Sequence, residues 1–362
     1  MQKVIGDSKK SFVTGNEAAA WACLAADADI MFGYPITPQN EIMHYWTRMA
    51  PKYGKGFLQT EDELSAGFTV CGGVQSGKKA FTATAGPGNV LMQEPFSMAE
   101  AMRLPLLAII QQRGGPSSGT VVYSQQEVTL TTYGGNGEGH RIVYSTSTHQ
   151  EIFDYIIKGF NTAWKHRFPV FILGDGYQAK MREPLEMYDP ESRGIEMVKP
   201  YPLIGLGGKI GVDRGPSHLC NIYSLEEELY EVIMKVQAEY DALAPYITEY
   251  EEKECDDAEI ILLTHGVVSR AADDAVKTLR AQGIKAGYFR PITLRPFPQK
   301  ELRAAIAKSG AKKILIAESA IGQFDHLVKH EIYGETIKIE NLFMPGVGII
   351  ENDLINKVKS VL

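Results

Sequence analysis

Ala80-Phe81-Thr82-Ala83-Thr84-Ala85-Gly86-Pro87-Gly88 reads as a short buried strand that breaks into a turn. The run from Ala80 to Thr84 carries no charge, and the glycines and proline after it end any regular element. A short uncharged run between breakers fits a strand covered on both faces, as in a parallel sheet. Comparable runs lie on both sides of it: Asp29-Ile30-Met31-Phe32-Gly33, residues 106–110, Arg141-Ile142-Val143-Tyr144 and Val170-Phe171-Ile172-Leu173. Residues 63–74 and 150–164 read as helices, as does the alanine-rich run 18–26, with Asn16 as its N-cap. Strands alternating with helices predict an α/β block with a doubly wound parallel sheet, spanning residues 12–181.

Further along, Pro184, Pro190, Pro200, Pro202 and Pro216 and many glycines mark residues 182–223 as a long irregular connection. A charged helix over 225–243 follows. From residue 259 a second, smaller parallel α/β pattern begins. Its strands are expected at 260–264, 284–289, 312–317 and 337–339, and its helices at 269–282, 298–309 and 323–333. A length of 362 residues suits two domains. The expected boundaries are 1–190 for the first, 191–245 for a linker and connecting helix, and 246–362 for the second.

Composition excludes several function classes. The chain is 44% hydrophobic and 22% charged, as ordinary globular proteins are. A net charge of −7 offers no basic face for nucleic acid. No run reaches the ~18 apolar residues of a membrane span, and Met1-Gln2-Lys3-Val4-Ile5-Gly6-Asp7 lacks the apolar core of a signal peptide. A cytoplasmic protein is expected. Cys23, Cys71, Cys220 and Cys255 lie far apart with no Cys-x-x-Cys pair, so the chain is expected to hold neither zinc nor an iron–sulfur cluster, and its thiols to be free.

In an open parallel sheet, ligands bind outside the carboxyl ends of the strands. Gly205-Leu206-Gly207-Gly208-Lys209-Ile210-Gly211 imitates a phosphate loop but has no helix after it, so an ordered linker is the expectation. Thr84-Ala85-Gly86-Pro87-Gly88 is better placed, and its glycines let backbone approach a ligand. Three other strand ends carry unusual residues. In Gly33-Tyr34-Pro35-Ile36-Thr37-Pro38-Gln39-Asn40-Glu41, two prolines stiffen the loop around Thr37. That serves a rigid turn and a presented hydroxyl equally well. In Gln59-Thr60-Glu61-Asp62-Glu63-Leu64-Ser65-Ala66-Gly67, the acids complement a helix dipole. Small neighbours also let Glu63 enter a low-dielectric pocket that raises its pKa. In Ile109-Ile110-Gln111-Gln112-Arg113-Gly114-Gly115-Pro116, the arginine fits either a salt bridge or a bidentate contact with a substrate carboxylate.

Taken in order, these segments resemble the α subunit of the multi-subunit, thiamine-diphosphate-dependent 2-oxoacid:ferredoxin oxidoreductases. The residues that carry the resemblance are Tyr34-Pro35-Ile36-Thr37-Pro38, Glu61-Asp62-Glu63, Thr84-Ala85-Gly86-Pro87-Gly88, Gln112-Arg113-Gly114-Gly115-Pro116 and Gly174-Asp175-Gly176. In the second block, Arg290-Pro291-Ile292-Thr293-Leu294-Arg295-Pro296-Phe297-Pro298 and Glu318-Ser319-Ala320-Ile321-Gly322-Gln323 belong with them. The resemblance implies a pyrimidine-binding domain followed by a transketolase C-terminal-like domain whose role is mainly assembly. It implies that Glu63 is catalytic, hydrogen-bonding N1′ of the cofactor's aminopyrimidine. Pro35, Gly86, Pro87 and Gly88 would line the pyrimidine side, and Thr37, Arg113 and Ile36 would meet the substrate. Gly174-Asp175-Gly176 lacks the Asn-Asn that should follow where Mg²⁺ holds a diphosphate. The resemblance therefore assigns the diphosphate, Mg²⁺ and a [4Fe-4S] cluster to a β subunit, coenzyme A to a γ subunit and further clusters to a ferredoxin-like δ subunit, with ferredoxin as acceptor.

For substrate, Gln39-Asn40 and Ile172-Leu173-Gly174-Asp175-Gly176 look most like the branched-chain, 2-oxoisovalerate type. Pyruvate, 2-oxoglutarate and aryl 2-oxo acids stay open. A dicarboxylate needs a second cation, for which Lys79, Arg103 and Arg141 are the candidates near in sequence. His140 and Glu127 are candidates to touch the site, whereas His44, His265, Trp21, Trp46 and Trp164 read as structural. Two other functions also stay open: a redox-free carboligase or decarboxylase subunit of the same cofactor class, and a non-catalytic assembly subunit.

Overall fold

A computed structural model describes residue 5 and residues 8–205 and 219–362. The first unit opens with β1 (Lys9–Thr14), α1 (Gly15–Ala25), β2 (Ile30–Gly33), α2 (Asn40–Met49), β3 (Gly56–Gln59) and α3 (Glu63–Gln75). It continues through β4 (Ala80–Thr84), α4 (Pro87–Leu91), α5 (Gln93–Ala101), β5 (Leu107–Gln112), α6 (Val128–Tyr133), β6 (Ile142–Ser145), α7 (His149–His166) and β7 (Val170–Asp175). Then come α8 (Gly176–Lys180), β8 (Arg182–Met187) and the long α9 (Glu226–Ile247). The second unit comprises β9 (Tyr250–Lys253), β10 (Ile260–Leu263), α10 (Val268–Ala281), β11 (Ala286–Pro291), β12 (Thr293–Arg295), α11 (Gln299–Ser309), β13 (Lys313–Glu318), α12 (Gln323–Glu331), β14 (Lys338–Phe343) and α13 (Glu351–Val361).

The main sheet runs β12-β6-β7-β5-β4-β2-β3, and all of its pairs are parallel except β12 with β6. Every residue of β4, β5 and β7 is buried, as expected of strands covered on both faces. Successive side chains of a strand alternate between faces. Phe81, Leu107, Ile109, Val170 and Ile172 enter the layer under α1, α2 and α7, while Ala108, Ile110, Phe171 and Leu173 enter the opposite one. Edge-to-face rings close both layers: Trp46 on Phe81 and Phe96 on Phe171, each pair 4.8 Å between centroids. The second sheet, β14-β13-β10-β11-β9, is parallel apart from β9. This is the expected pair of α/β sheets.

Several local expectations need correction. Asn16 is not the cap of α1. Thr14 is the extended residue whose hydroxyl accepts from Glu17 N, at 3.2 Å, and Asn16 lies buried inside the helix. The stretch expected to be irregular begins with a strand. β8 pairs antiparallel with β1, from Lys9 opposite Met187 to Thr14 opposite Arg182. Pro184 is tolerated in this two-stranded ribbon because it has an edge to face. The glycine-rich run 206–211 lies outside the described residues. Strand β12, unforeseen between Pro291 and Pro296, leaves the second unit and joins the first sheet beside β6. Among the described residues, no helix is long and apolar enough to cross a membrane.

Both second-block motifs have structural work. The Glu318 carboxylate accepts from the backbone N–H groups of Gly322 and Phe324, at 2.9 and 2.8 Å, at the start of α12. Arg290, 1% exposed, donates to both carboxylate oxygens of Glu151 on α7, at 2.8 and 2.6 Å, and to Ser145 O at 3.0 Å. This fork, buried on the arginine side and partly exposed at Glu151, joins the two units. Burial opposes ionisation of Glu151, but the bonds from Arg290 prevail and hold its pKa below the ordinary carboxylate value. Removing one partner of a fully buried pair costs about 3–5 kcal/mol; the cost here is smaller, because Glu151 is partly exposed and keeps the donors of Ser147. Arg290→Met is therefore expected to lower the thermal midpoint clearly, and Arg290→Met with Glu151→Leu to recover part of the loss. A single variant that melts with the parent would contradict this account.

Candidate functional site

Strands β2, β4 and β5 are neighbours in the sheet and run in the same direction, so their carboxyl ends share one edge. Four sequence-predicted segments meet there. Arg113, directly after β5, reaches across to the β2 loop and donates from Nη1 to Thr37 O at 2.8 Å. Its Nη2 donates to Ser118 O at 2.8 Å, while its buried Nε has no partner. Gly86, after β4, lies under this side chain. A Cβ there would fall 2.8 Å from Arg113 Nε, and the backbone has φ +50°. Glycine is thus required at 86 by both space and conformation.

The next turn of chain leads to Glu63. A Cβ on Gly88 would lie 2.6 Å from Glu63 Cγ and 2.2 Å from Thr84 Oγ1, a buried hydroxyl without a partner. Pro87 begins α4, where its missing N–H costs no helical bond. Glu63 is the first residue of α3. The helix is capped by Asp62, whose carboxylate accepts from Ser65 N at 2.7 Å. Of the three acids, Glu61 is exposed, Asp62 caps and Glu63 turns inward. Burial pushes the Glu63 carboxyl above its ordinary pKa, its own backbone N–H opposes this, Asp62 adds to it and Arg113 pulls it back.

The β2 loop is held from inside by residues the sequence reading did not assign to the site. Asn16 Nδ2 donates to Pro38 O at 2.7 Å and to Glu41 Oε2 at 2.9 Å, and Gln39 Nε2 donates to Tyr34 O at 2.8 Å. Pro35 is exposed, whereas Ile36 and Thr37 are half-buried. It is the Thr37 carbonyl, not its hydroxyl, that engages Arg113. Nothing in the spacing of Asn16 signals its role, because its partners lie on a different element.

Glu127 lies beneath the site. Its Oε1 accepts from Gly86 N at 2.9 Å and Asn89 Nδ2 at 3.0 Å, and its Oε2 accepts from Arg113 N at 2.8 Å. His140 is elsewhere, with Nε2 2.9 Å from Gln237 Oε1 on α9 and its ring against Tyr240. Lys79, Arg103 and Arg141 are elsewhere too. Lys79 Nζ donates to Ala26 O, and Arg103 to the carbonyls of Arg167 and His166 and to Glu239. Arg141 forks onto Glu100 at 2.6 and 2.8 Å. All four residues precede strands, which puts them at the amino edge of the sheet, opposite the site. Asp175, at the end of β7, caps α8 by accepting from Gln178 N at 2.8 Å, and burial pushes its pKa up to about 7. Among the described residues, no group of His, Cys, Asp or Glu is arranged to hold a metal ion.

On the two helices beside Glu63, Leu64 and Phe68 on α3 and Val90 and Leu91 on α4 are all exposed, Val90 at 58%.

Comparison with known proteins identifies the family of the chain. Residues 21–251 match the family described as pyruvate flavodoxin/ferredoxin oxidoreductase, thiamine diP-bdg, and residues 258–348 match pyruvate:ferredoxin oxidoreductase core domain II. Ketoisovalerate oxidoreductase subunit VorB of Methanothermobacter marburgensis is 34% identical over 351 residues, 96% of this chain and 97% of that protein. 2-Oxoglutarate synthase subunit KorA of Methanothermobacter thermautotrophicus is 33% identical over 90% of this chain and 92% of its own length. The structure of 2-oxoglutarate:ferredoxin oxidoreductase from Magnetococcus marinus with 2-oxoglutarate, coenzyme A and succinyl-CoA bound is similar over 98% of this chain, with TM-score 0.84 and 25% identity. This chain spans 65% of that one. A split-gene transketolase shares the fold at TM-score 0.58 and 14% identity, over 97% of this chain and 98% of its own. With both units matched in order and relatives aligned over nearly the whole length, the chain belongs to the pyruvate flavodoxin/ferredoxin oxidoreductase family, as a member carrying its thiamine-diphosphate-binding domain.

Proposed function

We propose that the chain is the α subunit of a 2-oxoacid:ferredoxin oxidoreductase, active only with partner subunits. The reaction is coenzyme-A-dependent oxidative decarboxylation of a 2-oxo acid to acyl-CoA and CO₂, with electrons passing to ferredoxin. The observation that carries this reading is the unbroken line of contacts from Thr37 through Arg113, Gly86 and Gly88 to Glu63 at one sheet edge.

The residues present fit thiamine diphosphate. A buried carboxyl with a raised pKa stands beside a backbone kept bare at Gly88 and an unpartnered Thr84 hydroxyl. When bound, the cofactor supplies the electron sink for decarboxylation. Glu63 would hold a proton at the aminopyrimidine N1′, and burial, which raises its pKa, favours the protonated form that this contact needs. Gly86, Pro87, Gly88 and Pro35 shape the pyrimidine side. Arg113, with N–H donors beyond those bound to Thr37 and Ser118, meets the substrate carboxylate, and Thr37 and Ile36 complete that wall. The apolar rim around Glu63 is the surface a β subunit covers, bringing diphosphate, Mg²⁺ and a [4Fe-4S] cluster. A γ subunit brings coenzyme A and a ferredoxin-like δ subunit further clusters. The chain divides at 1–190, 191–245 and 246–362.

A branched-chain acid, 2-oxoisovalerate, is the favoured substrate. The three basic residues near in sequence that were candidates to pair a second carboxylate are held at the opposite edge. The anaerobic assay of the intact complex is coenzyme-A-dependent viologen reduction with 2-oxoisovalerate, 2-oxoglutarate, pyruvate and an aryl 2-oxo acid. The highest kcat/KM is expected for 2-oxoisovalerate. Reduction confined to 2-oxoglutarate would overturn that choice, and no reduction at all, in a complex loaded with its cofactors, would overturn the function. In the same complex, Glu63→Gln is expected to lower kcat by about 10²–10⁴-fold, the usual contribution of a positioned proton-transfer group. Undiminished kcat in that variant would remove Glu63 from the chemistry.

A further inference from the structure

Glu127 is 4% exposed, and its carboxylate accepts from three donors. Gly86 N and Asn89 Nδ2 donate to one carboxylate oxygen, and Arg113 N donates to the other. The residue stands just before α6, and its own N–H donates to Gln112 Oε1 at 3.2 Å. It therefore ties together the two backbone points from which the site is built. One is the glycine turn after β4, where Gly86, at φ +50°, donates its N–H to the Glu127 carboxylate. The other is the residue whose guanidinium lies over that same turn.

The segment between Arg113 and Glu127 is closed upon itself. Gly114 and Thr120 exchange both backbone hydrogen bonds, at 2.9 and 3.2 Å. Gly115 N donates to Gln126 Oε1 at 2.7 Å. Glu127 accepts from Arg113 N and so joins the end of this loop to its beginning. Burial raises the Glu127 pKa, and the donors from Arg113, Asn89 and Gly86 oppose the rise, followed by the Arg113 charge. A neutral amide in its place keeps one acceptor oxygen and turns an NH₂ towards a buried N–H. Donor then faces donor, and a buried group goes unpaired.

We propose that Glu127 is a positioning residue of the reaction, one that fixes Arg113 against Gly86 and thereby sets where the carboxylate of the 2-oxo acid binds relative to the pyrimidine side. This rests on the function proposed above. Glu127 itself touches neither substrate nor cofactor. Its loss should appear in recognition of the 2-oxo acid and leave coenzyme A recognition alone.

The test is steady-state kinetics of the intact complex with viologen as acceptor. For Glu127→Gln, KM for the 2-oxo acid is expected to rise about ten-fold or more, the effect of one buried hydrogen bond lost at the loop. KM for coenzyme A should stay within about two-fold. Because Glu127 acts through Arg113, adding Glu127→Gln to Arg113→Lys should raise KM by much less than it does in the parent. Should Glu127→Gln fail to assemble, Glu127→Asp, which keeps the charge and shortens the reach, is read by the same ratio. An unchanged KM for the 2-oxo acid overturns the proposal. So does a parallel rise in both KM values, or full multiplication of the two substitutions. A parent complex that turns over no 2-oxo acid overturns the function and this proposal together, whereas an active parent with an indifferent variant overturns this proposal alone.

Discussion

A guanidinium out of water needs acceptors, and it takes them from whatever backbone is near. Arg113 is 8% exposed and takes the Thr37 and Ser118 carbonyls, which belong to two different loops. The rest of the carboxyl edge follows from that choice. The β2 loop must present its carbonyl at one place, so it is stiffened by Pro35 and Pro38 and braced internally by Asn16 and Gln39. Residue 86 must be glycine, because the arginine stem fills the space of any side chain there. Residue 88 must be glycine for the matching reason on the Glu63 side. The glycine turn is thus a spacer between an arginine and a glutamate as well as a surface for a ligand.

The second unit does more than dock. Gln125, two residues before Glu127, accepts from Ser319 N at 2.8 Å and donates to His265 O at 2.8 Å, while its own N–H donates to Ser319 O. Both partners follow strands of the second sheet, β13 and β10. The loop that begins at Arg113 is therefore backed by the carboxyl edge of the other sheet. Strand β12 and the Arg290–Glu151 fork join the units again at β6 and α7. A role that is mainly assembly understates this arrangement. Side chains at the arginine loop inherit the rigidity of both sheets, which a loop on one sheet alone would lack.

Much of this was readable from the chain. Strands β4, β5 and β7 announce themselves as uncharged runs between breakers because they are buried on both faces. Their direction then places Thr37, Glu63, Gly86 and Arg113 at one edge. The same logic carried further would have removed Lys79, Arg103, His140 and Arg141 from the site, since a residue just before a parallel strand belongs to the opposite edge. What periodicity could not show were pairings between distant segments. The β1–β8 ribbon joins residues more than 160 positions apart, as with Lys9 and Met187, through a strand containing proline. Strand β12 is three residues long. Asn16 and Glu127 act by hydrogen bonds to backbone on other elements, and such contacts leave no mark in local spacing.

The site is also asymmetric in polarity. Its inner wall is hydrogen-bonded backbone with the unpartnered Thr84 hydroxyl and Arg113 Nε, while its outer rim exposes Leu64 and Phe68, one helical turn apart on the helix that Glu63 begins. A helix that exposes such residues around a buried carboxyl has an unfinished low-dielectric pocket. Any protein surface laid over that rim removes water from Glu63 and acts on its pKa in the direction burial already takes it, upwards. Arg113 limits the rise, because its positive charge gains strength in the same drier medium. A surface laid over that rim would therefore shift the balance between the two, and with it the proton affinity of Glu63.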